Sequence, residues 1–154
     1  MPERLRVDDL LASGRLKPHS ASPAETADLL ALAERHLADA AATGLSPDGR
    51  FAAAYSAAIT LATAVERASS YRVASAPGHH RLTIGLLPIL LGDQQRRGAT
   101  YLDACRRKRN IAQYDRADTV TPAQAQALRA AAGELRGEVF AWLTEVHPEL
   151  LGSP

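Results

Sequence analysis

Arg109, Asn110 and Tyr114 are the residues of this sequence whose types and spacing suit phosphate chemistry. Leu102, Cys105, Arg109 and Ala112 recur at steps of three, four and three, so on a helix they share one apolar stripe. Arg109 stands on that stripe where a leucine is expected. A guanidinium there must pair with an acid, Glu66 and Glu134 being the candidates, or line a cleft, because burying it alone is costly. Arg107, Asn110 and Tyr114 form a neighbouring stripe. A helix that tightens or ends near Gln113 would swing Tyr114 towards Arg109. A cation, an amide and a phenol beside one helix terminus can grip a phosphate and polarise a ribose hydroxyl.

The surrounding charge fits an anionic ligand. Between Arg96 and Arg116 stand seven basic residues, Arg106, Arg107 and Lys108 among them, against Asp103 and Asp115, on a chain whose formal charge is only +1. Arg106, Arg107, Lys108, Asp115 and His80 are therefore expected to face substrate, although a solvated helix face would carry the same charges. His79-His80 opens a helix after Pro77-Gly78, from which a histidine can approach the cleft as a base or simply make structural contacts. His36 and His147 have no partner at metal-ligand spacing, so no metal or cofactor is expected. Cys105 and Tyr55 lie on apolar stripes and read as core. No Walker loop, dinucleotide fingerprint or nucleophile elbow is present.

The elements that position these residues read as helices. The chain has 154 residues, 46% hydrophobic and 23% charged, which suits one folded domain rather than a disordered chain. Alanine and leucine dominate and aromatics are only 5%, favouring helix over a β-sandwich or barrel. The single cysteine excludes an internal disulfide framework. A short helix is expected over residues 2–12, then a linker over residues 15–21, with the main domain over residues 22–154. Ser22-Pro23-Ala24-Glu25 is an N-cap, a proline at the first helical position and a capping-box acid. That helix should stop at Gly44. Ser46-Pro47 opens the next in the same way, with Phe51, Tyr55, Ala58, Ala62 and Val65 on one stripe. Residues 69–78 read as a loop, 79–91 as a helix kinked at Pro88, and 95–113 as the helix of the basic block. Thr121-Pro122-Ala123-Gln124 caps a last helix that Pro148 stops. The pattern predicts an all-α, up-and-down bundle of four to five helices. No apolar run reaches a membrane span, and the first residues lack a signal-peptide core, so a cytoplasmic protein with no membrane partner is expected.

The run Arg106-Arg107-Lys108-Arg109-Asn110-Ile111-Ala112-Gln113-Tyr114-Asp115 resembles the signature of the HEPN superfamily, the higher eukaryote and prokaryote nucleotide-binding domains. Phe51-Ala52-Ala53-Ala54-Tyr55-Ser56-Ala57-Ala58 is similar to that family's Ala- and Tyr-rich core helix, and Gly78-His79-His80 to its Gly/His start of the next helix. The resemblance spans about residues 22–146 in the same helix order. It implies a bundle that often dimerises, with RNA or a nucleotide as ligand. Many members are metal-independent endoribonucleases, and several are toxins held by a nucleotidyltransferase antitoxin partner. The family motif is an Arg, a polar residue that is often Asn, and a His about five residues after the Arg. Arg109 and Asn110 match it; Tyr114 stands at the His position. There the family's His moves protons around the ribose 2′-hydroxyl, and a phenol, with its ordinary pKa near 10, is a poor base at neutral pH. The resemblance thus implies catalytic positions at Arg109, Asn110 and Tyr114 of an active or degenerate ribonuclease. The alternative it leaves is a non-catalytic helical dimer serving as an interaction or accessory module for a nucleotidyltransferase.

Overall fold

The computed structural model describes residues 5–152, together with the backbone but not the side chain of Asp115. At its centre lies a helix buried on nearly every side, α3 (Pro47–Ala68). Alanine makes this possible: Ala54, Ala57, Ala58, Ala62 and Ala64 are buried, and their small side chains let neighbouring helices approach closely. α2 (Pro23–Ala40) and α6 (Pro122–Val146) pack against α3, as do α4 (His79–Leu90) and α5 (Arg96–Asn110). Leu128, Ala132, Leu135, Val139 and Leu143 form the buried stripe of α6. With the short α1 (Val7–Ala12), the described residues form an all-α bundle. No helix among them is long and apolar enough to cross a membrane.

Three helix starts follow the cap chemistry of the sequence. Ser22, Ser46 and Thr121 each accept a hydrogen bond from the backbone N–H three residues on, and a proline follows each. Only Thr121 completes a capping box, with the Gln124 side chain returning to the Thr121 N–H. Glu25 does not close the box expected of it. Its carboxylate instead meets His19 at 2.7 Å and Arg67 at 3.0 Å, tying the start of α2 to the end of α3.

Residues 15–21 are not a plain linker, nor residues 69–78 a plain loop. Leu16–Pro18 (β1) pairs antiparallel with Tyr71–Val73 (β2), Leu16 opposite Val73. Leu16 joins Leu10, Leu82 and Leu86 in a second small core, so the N-terminal segment is packed onto α4. Pro88 lies in the last turn of α4, which ends two residues later at Leu90. Residues 93–95 form a 3₁₀ turn before α5, and 111–115 a π-helical turn after it.

Asp48, in the first turn of α3, anchors the segment between that turn and α6. Its carboxylate accepts from the backbone N–H of Asp118 at 2.7 Å and of Val120 at 3.1 Å. Asp118 holds a left-handed backbone at φ 60°. Asp48→Ala strands both N–H groups and is expected to cost about 1–3 kcal/mol in urea unfolding; an unchanged midpoint would show that water replaces the carboxylate there.

Candidate active site at the end of helix α5

Arg109 lies one residue before the end of α5, where the α-helix widens into the π-turn Ile111–Asp115. Such a turn re-aims side chains and recurs at functional positions. The Arg109 guanidinium lies over the ring of Tyr55 from α3, 5.3 Å from its centroid. That is cation–π range. The aromatic ring against Arg109 is thus Tyr55, not Tyr114. The helix loosens after Asn110 instead of tightening, and Tyr114 stands 74% exposed.

Neither carboxylate considered for Arg109 serves it. Glu66, 2% exposed, accepts from Thr83 Oγ1 at 2.9 Å and from the Val73 N–H at 3.1 Å, with Arg67 beside it. Glu134 lines a different cavity, between α5 and α6. Arg109 forms no ion pair with a described carboxylate, and its Nε is buried without a hydrogen-bond partner. The side chain lines a cavity of about 230 Å³ with Asp48, Phe51, Ala52 and Gln113.

Tyr55 carries a second polar contact. Its hydroxyl lies 3.2 Å from Nδ1 of His80, the second residue of α4. Tyr55 is 1% exposed, and burial, above all, pushes its pKa up to about 12, so it remains a neutral phenol. Burial first, then the charges of His79, Arg109 and Arg106, lower the pKa of half-buried His80. The ring is therefore neutral at physiological pH. His79 stacks edge-on against it at 4.4 Å and donates its own Nδ1–H to the Ala76 carbonyl.

The other sequence-predicted residues separate into two groups. Arg106 and Lys108 have structural partners: Arg106 pairs with Asp103 at 2.9 Å, and Lys108 donates to the Thr119 carbonyl at 3.0 Å. Arg107 also reaches Asp103 but is exposed, and it lines a groove of about 910 Å³ beside the start of α4 with Arg15 and Arg81. Asn110 is half-buried, with no side-chain hydrogen bond to a described residue. The side chain of Asp115 lies outside the described residues. Cys105 is buried, and burial pushes its thiol pKa up, in keeping with a place in the core. Among the described residues no three His, Cys, Asp or Glu side chains gather as a metal site requires. The residue that sequence reasoning placed only in the core is Tyr55. Its position on a buried stripe was a true signal, but its hydroxyl partner, twenty-five residues away, was not foreseeable from spacing.

Fold and site together define an all-α bundle with a cationic cleft where α3, α4 and α5 meet. No family model matches this sequence, and no curated protein or solved structure shows detectable similarity to it.

Proposed function

We propose that this protein is a HEPN-like, RNA-binding endoribonuclease in which Arg109 holds the scissile phosphate. The observation that carries the reading is a guanidinium at the end of α5 that reaches a cavity with no described carboxylate to neutralise it. A phosphate oxygen supplies the missing partner, in the fork geometry arginine favours. The chemistry that fits is intramolecular. The ribose 2′-oxygen attacks phosphorus, the P–O5′ bond breaks, and the products are a 2′,3′-cyclic phosphate and a 5′-hydroxyl. Arg109 stabilises the charge that grows on the phosphate oxygens. Arg15, Arg81 and Arg107, along the adjacent groove, suit the neighbouring phosphates of a single strand.

Incubation of the purified protein with single-stranded RNA and a chelator tests this. Cyclic-phosphate ends are expected on RNA, with DNA of the same sequence left intact for want of a 2′-hydroxyl. RNA affinity should fall linearly with salt on logarithmic axes. The Arg81→Ala/Arg107→Ala double variant should lower that slope by about two, one for each lost phosphate contact. RNA that is neither bound nor cut overturns the reading. A second reading, a non-catalytic dimer or partner-docking module, draws on the exposed Ile111 and Tyr114 of the π-turn. RNA binding without cleavage, in a protein that sediments as a dimer, would favour it.

A further inference from the structure

We infer that His80, held at Nδ1 by the Tyr55 hydroxyl, is the proton-transfer group of the Arg109 cleft and faces the ribose 2′-hydroxyl of bound RNA. This rests on the ribonuclease reading. It assigns to the start of α4 the work that the family resemblance assigns to position 114, where the exposed Tyr114 is a poor base.

The geometry joins three helices through one ring. Tyr55 of α3 meets the Arg109 guanidinium of α5 at 5.3 Å and the His80 imidazole of α4 through a 3.2 Å contact. The phosphate-holding cation and the imidazole are thus fixed to the same buried phenol. Tyr55 defines the orientation of His80 because a fully buried ring cannot follow a wandering partner.

The hydrogen bond also sets the tautomer. When His80 donates its Nδ1–H to the Tyr55 oxygen, the Nε2 lone pair is left to accept a proton. The charged groups facing His80 are His79 on its own helix and Arg106 and Arg109 from α5; Tyr55 faces it from α3 as a neutral phenol. Asp103 is engaged with Arg106 and Arg107. The cations keep the ring unprotonated and ready to act as a base. In the step, the 2′-hydroxyl proton passes to Nε2 as the O2′–P bond forms. The P–O5′ bond breaks and the 5′-oxygen takes a proton from solvent. The imidazolium keeps its Nδ1–H bond to Tyr55, so no rearrangement accompanies the transfer.

Two measurements decide it. In the first, the histidine side-chain resonances are followed against pH by NMR, with 3′-UMP as the probe. Bound 3′-UMP should raise the pKa of His80 by bringing a dianion beside it, leaving His36 and His147 as unmoved controls. Arg109→Ala should raise the His80 pKa in the free protein by removing a cation, and should abolish the response to 3′-UMP. In the second, His80→Gln should lower RNA cleavage on the order of 10²–10⁴-fold with RNA affinity kept. Tyr55→Phe, which preserves the buried ring, should slow cleavage and move the acidic limb of its pH–rate profile to lower pH, because the imidazolium loses its acceptor. A His80 resonance indifferent to 3′-UMP overturns the inference. So does His80→Gln cutting at the wild-type rate while Arg109→Ala is inactive, an outcome that leaves the ribonuclease reading standing. A wild-type protein that cuts no RNA overturns both.

Discussion

Arg109→Ala is expected to lower RNA cleavage on the order of 10²–10³-fold while leaving the protein folded. The two halves of that expectation have separate causes. The catalytic loss is that of a charge-assisted contact to the phosphate oxygens, strongest in the transition state. The mildness of the structural effect follows from what Arg109 does not touch. Truncating one member of a buried ion pair costs about 3–5 kcal/mol because it strands the other charge. No described carboxylate is paired with Arg109, so none is stranded. What is lost is packing on the Tyr55 ring, a cation–π contact of about 0.5–2 kcal/mol. Arg109→Lys keeps the charge but not the planar fork, and should recover RNA affinity better than rate. Thermal unfolding and single-turnover cleavage of the same preparations check both halves. A variant destabilised by several kcal/mol with unchanged RNA binding would make Arg109 an internal strut.

The parts of the fold that were legible in the sequence are those encoded over a few residues. Ser22-Pro23, Ser46-Pro47 and Thr121-Pro122 mark helix starts because capping is local chemistry, and the structure places α2, α3 and α6 to match. The stripe of Phe51, Tyr55, Ala58, Ala62 and Val65 is buried as its spacing requires. The strands β1 and β2 were not legible. Three residues are too few for an alternating pattern, and their pairing joins segments more than fifty positions apart.

The candidate site divides along the same line. That Arg109 stands out of place on an apolar stripe is visible in spacing alone. What faces it is a tertiary fact: the Tyr55–His80 contact, and the capture of Glu66 by Thr83 and Val73, depend on how three helices meet. The widening after Asn110, which leaves Tyr114 in solvent, has no residue signature in this run. Lys108 shows the opposite limit. Its charge marked it as a substrate contact, yet its ammonium anchors the Thr119 carbonyl beside the segment that Asp48 also fixes.

Glu66→Ala is expected to be among the most destabilising single changes in the bundle, by about 2–5 kcal/mol. The carboxylate is buried at the junction of α3, β2 and α4, and its loss leaves the Val73 N–H and the Thr83 hydroxyl without their acceptor. Glu66→Gln separates hydrogen bonding from charge. The amide oxygen can accept from Val73, and the Thr83 hydroxyl can turn to accept from the amide N–H. Both bonds survive and the buried charge is gone. Burial raises the Glu66 pKa above the usual 4.5, against the pull of Val73, Thr83 and Arg67. A raised pKa means that the folded state holds this proton more tightly than the unfolded chain. The stabilisation from the protonated form is complete below about pH 4.5 and is lost as pH rises through the folded-state value. Glu66→Gln should therefore gain on the wild type as pH rises from about 4.5 towards neutrality, in urea unfolding across that window. A wild type that gains on Glu66→Gln instead would mean that Arg67 and the two hydrogen bonds outweigh burial, making the ionised carboxylate a net support of the junction beneath His80.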